Sequence, residues 1–304
     1  MKDNKKIMNV VIWMDCRGEG LKYFLSNKIK CNIYKYLVHE LGGFNISPPG
    51  YLNDSSNIPI DVLKTCDIFL YQFIDKKFLK YSTDPSTKDI NVLSHLSDDC
   101  IKIGFHGVYM DCFWPLTTPF KNEYNKIIQP LKGKSKQEIE YLYKKNLINF
   151  YLEERFDNNI KYALEREKKW KDGYDSLKNY HVVSSVNFIK KNFTKGKLFL
   201  THCHPTSYIF IDQVNQILKI INNDSTDIYE NIFDYPMMYP GIPYGTWPES
   251  KYVNKIFNIN YSGNIVNENY YINLILEQVG KNITQKNYNK IKNHKGMFKM
   301  FKYS

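Results

Sequence analysis

No run of about 18 apolar residues occurs in the 304-residue chain, so no transmembrane helix is expected. The start, "MKDNKKIMNVVIWMD", is basic and then apolar from Ile7 to Met14, but no small-residue cleavage site follows, and a signal peptide is not expected. The cysteines, Cys16, Cys31, Cys66, Cys100, Cys112 and Cys203, lack CxxC or framework spacing. They read as free thiols in a reducing, cytoplasmic setting. No internal repeat is present. "RGEG", Arg17 to Gly20, resembles a phosphate loop, but Tyr23 stands where the dinucleotide fingerprint needs its third glycine. A Walker lysine with its Ser/Thr is missing from that segment too.

What is present is apolar content of 43%, enough for a substantial core, and a net charge of +11. The lysines are spread along the chain without a nucleic-acid motif, so no specific nucleic-acid partner is expected. A basic surface suits an anionic ligand, such as a nucleotide sugar or a phosphorylated carrier.

The first 120 residues alternate strand and helix patterns. Val10–Trp13, "DIFLYQF" (67–73) and "CIKIGFHGV" (100–108) read as buried strands. Gly18–Ile29 reads as a helix with Leu21, Phe24 and Leu25 on one face. "KCNIYKYLVHEL" reads as another, striped by Ile33, Tyr36, Leu37 and Leu41 and closed by Gly42-Gly43. A short helix is expected near Ile58–Lys64. The alternation implies an α/β fold with a parallel sheet flanked by helices. Residues 121–180 read as a helical insertion, opened by a capping box at Ser135 and Glu138, with a second, charged helix near Asn159–Trp170. "KLFL" returns to strand, "SYIFIDQVNQILKII" to helix. Four prolines make 235–249 a loop or lid. A late helix and a basic, aromatic tail complete a C-terminal extension over 235–304. The whole, 1–304, is expected to be a single α/β domain.

Four constellations bring chemistry to predicted strand ends. Cys16 lies between a strand and a helix N-terminus, beside Arg17. There a thiol is either a nucleophile with a lowered pKa or a buried structural group. In "THCHPTSY", His202 and His204 alternate, and His204 is stiffened by the following proline. They suit a general base, a metal or a structural role. A metal site needs about three protein ligands, and no further cluster is evident, so none is assigned. "IGFHGVYMDCFWPL" carries His106 and Tyr109, with Phe113 and Trp114 as core candidates. Gln72 ends its strand and either caps backbone or faces a site.

These pieces, in this order, resemble the WcbI-like polysaccharide biosynthesis family, which is taken for a family of acetyltransferases with a fold related to the SGNH (GDSL-type) hydrolases. The family's strand, "G-N-C-Q" and helix correspond to "M-D-C-R", Met14–Arg17. Its Asp-initiated strand ending in Gln corresponds to Asp67–Gln72. Its aromatic segment closed by proline corresponds to "VYMDCFWP", and its late His-Pro to His204-Pro205. Asp15 and Arg17 depart from the family's Asn and Gln, and Thr201 stands where SGNH enzymes carry an Asp three residues before the histidine.

The resemblance implies an SGNH-hydrolase-like sheet and acetyl transfer from acetyl-CoA to a sugar, nucleotide-sugar or glycan acceptor. Cys16 would be the nucleophile and His204 the base. Arg17, Gln72, His106 and Tyr109 would position the substrate or stabilise an oxyanion. Arg17, Gly18 and His202 would meet coenzyme A. A direct attack without an acyl-enzyme, an esterase or deacetylase on the same fold, and a non-catalytic glycan or polyanion binder are the alternatives.

Overall fold

The computed structural model describes residues 7–38, 51–52, 58–113, 131–142, 149–175, 177–201, 203–221, 228–238, 249–259, 261, 265–266, 273 and 276. The chain forms two compact units. The first draws on residues 1–108, 160–191 and 205–242, the second on 109–159, 192–204 and 243–304.

The first unit is built on a six-stranded sheet: β1 (Met8–Met14), β2 (Cys31–Val38), β3 (Tyr51–Leu52), β4 (Ile68–Gln72), β5 (Ile101–Phe105) and β6 (Tyr180–Val183), in the order β3-β2-β1-β4-β5-β6. Every neighbouring pair is parallel. Since β3 has two residues, five strands carry the sheet. Strand order reverses between β1 and β4, the place where open parallel sheets leave a crevice at their carboxyl edge.

Side-chain alternation sends β1 into two cores. Val10, Ile12 and Met14 meet Leu21, Phe24 and Leu25 of α1 (Arg17–Ser26), and also Phe210, Val214 and Ile217 of helix Ser207–Ile221. Val11 and Trp13 face the opposite side with Phe69, Tyr71, Tyr174 and Leu63 of α2 (Ile60–Lys64). A strand buried on both faces has no polar positions, which is why 10–14, 68–71 and 103–105 read as apolar runs. The indole N–H of Trp13 donates to the Tyr81 carbonyl at 3.1 Å, so its burial leaves no orphaned donor.

The segment read as a second helix, 30–41, is instead β2. It pairs with β1 from Met8↔Cys31 through Met14↔Leu37. Ile33 and Cys31 pack on the α1 side and Tyr36 on the other, a two-residue alternation. Its spacing imitates a helical stripe because both faces carry apolar residues and Lys35 lies among them, ion-paired with Glu19 of α1. Unpaired backbone along one edge of β1 decides the matter, since β2 satisfies it. Leu41, Gly42 and Gly43 lie outside the described residues.

Strand β6 arises at the end of the stretch read as helical. The helices there are α3 (Lys136–Leu142) and α4 (Asn149–Tyr174), the latter one continuous helix where a second was expected near Asn159. The capping box is reciprocal: Glu138 N–H donates to Ser135 Oγ at 3.2 Å, and Ser135 N–H to Glu138 Oε2 at 2.7 Å. Next come α5 (Val186–Asn192) and α6 (Ser207–Ile221), with β7 (Phe199–Thr201) and β8 (His204–Pro205) between them.

The second unit has its own aromatic core, in which Phe156 lies 4.4 Å from Phe193 and 5.7 Å from Phe257 between ring centroids. It also holds β9 (Glu249–Ser250), α7 (Lys251–Ile256) and β10 (Ile265–Val266). Most of the loop 235–249, the late helix and the tail lie outside the described residues. Among the described residues no helix is long and apolar enough to cross a membrane.

Helix α1 approaches α6 through Gly20, where an added Cβ would overlap the Phe210 ring. Gly20→Ala is therefore expected to destabilise the protein by about 1–3 kcal/mol despite alanine's better helix propensity. Urea unfolding measures this, and Phe210→Leu in the same chain should recover part of the loss.

Candidate active site

At the carboxyl end of β1 the chain turns sharply into α1. Cys16 is the N-cap residue, half-buried, with helical backbone angles and no capping bond from its side chain. Asp15 does the capping instead. Its Oδ1 accepts the Arg17 N–H at 3.0 Å, and its carbonyl accepts the Gly18 N–H at 3.0 Å. Arg17 then folds back on the same carboxylate, Nε to Oδ1 at 2.8 Å and Nη2 to Oδ2 at 2.7 Å. This two-pronged pair gives both side chains strong, directional partners. It also neutralises the positive charge expected beside Cys16. The backbone N–H of Arg17 is likewise taken up by Asp15.

Gln72 ends β4 next to this turn. Its Oε1 accepts the Asp15 N–H at 3.1 Å, so it braces the backbone. The same side chain lines a cavity with Met14, Arg17, Leu21, Phe105, His106 and Gln213. Both roles left open for Gln72 thus coexist. The cavity, about 20 Å³, has room for roughly one water-sized group. Gly107 walls Arg17: a Cβ there would overlap its guanidinium.

His106 follows β5 with its side chain fully buried, and its Nε2 lies 3.3 Å from Glu167 Oε2. Glu167, on α4, also accepts from Ser184 Oγ at 2.6 Å and Lys171 Nζ at 2.6 Å. The His106 bond, with those from Lys171 and Ser184, holds the Glu167 carboxyl down at about 2, against the upward push of burial. Gln216 clamps Ser184, accepting its N–H at 3.2 Å and donating to its carbonyl at 3.0 Å. Next to this chain, Asp212 accepts from Ser185 Oγ and Gln216 Nε2. Burial nevertheless pushes its carboxyl up to about 6.

Arg17, Gln72 and His106 therefore converge on one cavity, with Cys16 and Gly18 on the turn beside it. Tyr109 and His204 belong to the other unit. There His204 Nδ1 lies 2.6 Å from Thr201 Oγ1 and 3.7 Å from Cys203 Sγ. A threonine hydroxyl thus contacts the ring nitrogen where the resemblance places an acid. His202 and Trp114 lie outside the described residues. Among the described residues no cluster of three or more His, Cys, Asp or Glu could hold a metal ion.

With this geometry in view, comparison with known proteins places the sheet. A solved structure of WcbI, a polysaccharide biosynthesis enzyme, matches 75% of this chain and 73% of that one, with a TM-score of 0.54 and 14% identity. The fold is WcbI-like. That structure is of native WcbI without a disulfide between coenzyme A and one of its cysteines. At 14% identity the likeness carries the architecture and not the chemistry. Dynein heavy chain-like protein 2 of Plasmodium falciparum is 27% identical over 215 residues, 68% of this chain. The chain spans 4% of that protein's length. No family model matches the chain.

Sequence reasoning missed Glu167, Ser184 and the capping role of Asp15. One signal for Glu167 was available. It falls in the inward stripe of its helix, Ile160, Ala163, Glu167 and Tyr174, all buried. A carboxylate in an apolar stripe needs a partner.

The two buried carboxylates predict opposite pH dependences. Asp212 titrates at about 6 in the fold against an ordinary 3.8. Its contribution is full below pH 4 and is lost, by about 3 kcal/mol, as pH rises through 6. Urea unfolding should find Asp212→Asn more stable than the parent at pH 8 and not at pH 4. Glu167 titrates at about 2 against an ordinary 4.5, so its contribution is present above pH 4.5 and fades as pH falls toward 2.

Proposed function

We propose that the chain is an acyltransferase of polysaccharide biosynthesis, acting in the cytoplasm. It would move an acetyl-sized acyl group from coenzyme A to a hydroxyl or amine of a sugar, nucleotide sugar or glycan. The observation that carries this reading is Cys16 at the N-cap of α1, at the carboxyl edge where strand order reverses, on a WcbI-like sheet. That edge is where open parallel sheets bind ligands.

In this reading the Cys16 thiolate attacks the thioester carbonyl. A tetrahedral oxyanion forms and collapses, and coenzyme A leaves as its thiolate. The acyl group is then taken from Cys16 by the acceptor. Among the described residues the Gln72 amide nitrogen has no hydrogen-bond partner, and the side chain lines the cavity, which suits it to donate to that oxyanion. His204, with Nδ1 held by Thr201, is the histidine that the resemblance assigns as base. Because Asp15 already neutralises Arg17, the phosphates of coenzyme A would draw chiefly on the chain's excess of lysines.

Hydrolysis is the second reading, and one observation favours it: the cavity admits a water-sized group. Coenzyme A and acetyl-CoA decide the donor. Either at a hundredfold excess over its Kd should stabilise the fold by about 2.7 kcal/mol, read as a raised Tm. Absence of any shift would sink the coenzyme A reading. Mass spectrometry after acetyl-CoA should find an acetyl group on Cys16, absent in Cys16→Ser. A thiol inert to iodoacetamide at neutral pH would also count against it.

A further inference from the structure

The ring of His106 is oriented by a partner that can only accept. Glu167 is ionised, and its Oε2 already receives the Ser184 hydroxyl at 2.6 Å. The Nε2 of His106, 3.3 Å from the same oxygen, must therefore carry the proton. In the neutral ring this leaves the lone pair on Nδ1. That atom is buried and has no hydrogen-bond partner among the described residues, and the side chain lines the cavity beside Arg17 and Gln72. A buried ring nitrogen is ordinarily satisfied, so this one marks a place for an incoming donor. The cavity volume, about 20 Å³, sets that donor's size: one O–H group.

We propose that His106 is a general base of this cavity, acting through Nδ1 on an O–H group, with Glu167 as its positioning residue. This deepens and rests on the acyl-transfer reading. It also reverses the expected role of His106, from oxyanion donor to proton acceptor. The oxygen attacks the acyl carbon as its proton passes to Nδ1. The new C–O bond forms, the acyl C–S bond breaks, and the departing thiolate takes the proton back from Nδ1. Glu167 holds the Nε2–H throughout and stabilises the imidazolium. Lys171 and the Gln216-clamped Ser184 keep Glu167 in place. The charged groups around the ring are Glu167 and Lys171 on α4 and the Asp15–Arg17 pair on the β1–α1 turn. Asp212, on α6, is tied to Ser185 and Gln216. The O–H group belongs either to a sugar or to water.

The full chain labelled with 15N-histidine tests the tautomer without any substrate. At alkaline pH one neutral histidine should show a protonated Nε2 and a bare Nδ1, with its signals lost in His106→Asn. A bare Nε2 on His106 overturns the proposal. Kinetics test the role, with acetyl-CoA or p-nitrophenyl acetate as donor and methyl glucoside as acceptor. His106→Asn should lower kcat by about 10²–10⁴-fold with KM near the parent's. Glu167→Gln should lower kcat and move the pH profile, and Glu167→Asp should recover part of both. Ser184→Ala, which leaves the ring and the carboxylate in place, should show a smaller change of the same kind if the Glu167 variants fail to fold. An acetylated glucoside identifies a sugar hydroxyl as the O–H source, and acetate alone identifies water. If the parent turns over either donor and His106→Asn keeps its kcat, the His106 proposal falls and acyl transfer stands. If the parent turns over neither, acyl transfer falls and takes this proposal with it.

Discussion

Strand β1 is hydrogen-bonded on both edges and buried on both faces, and the rest of the first unit depends on that constraint. A strand in that position cannot shift register without dragging apolar side chains out of two cores at once. It therefore holds the β1–α1 turn in place at the carboxyl edge. Cys16 gains its position from this rigidity rather than from any bond of its own side chain at the cap.

Charge around the turn is handled by pairing. Asp15 caps the helix and takes up Arg17, so the turn presents little net charge. Glu167 is saturated by three donors, which makes it an acceptor fixed in place instead of a group that titrates near neutrality. Asp212 shows the contrary case. Two neutral donors on one of its oxygens do not offset desolvation, and its carboxyl is raised. Number and charge of donors decide the difference between the two carboxylates.

The WcbI-like architecture and the cavity bear on function at different levels. Architecture explains why chemistry-bearing residues gather at one sheet edge. It does not say which of them reacts, because a fold hosts many chemistries. Single atoms bear on that choice: an amide nitrogen beside the cavity at Gln72, and a ring nitrogen left unsatisfied at His106.

Strands β1, β4 and β5, helices α1 and α6 and the Ser135–Glu138 box were legible in sequence, because burial on two faces, helical periodicity and capping each act over a few neighbouring residues. Strand β2 was not, because apolar residues on both its faces imitate a helical stripe and only the open edge of β1 distinguishes the two. Cys16, Arg17, Gln72 and His106 could be singled out one by one from their places at strand ends. Their partners could not. His106 and Glu167 are 61 residues apart in the chain. Glu167 stands in the buried stripe of its helix, a place that asks for a partner without saying which. Sequence alone determined which segments are stiff and where their ends carry reactive groups. Tertiary structure alone decided which groups pair, and hence which nitrogen of His106 meets Glu167, since that depends on contacts between elements that no local pattern encodes.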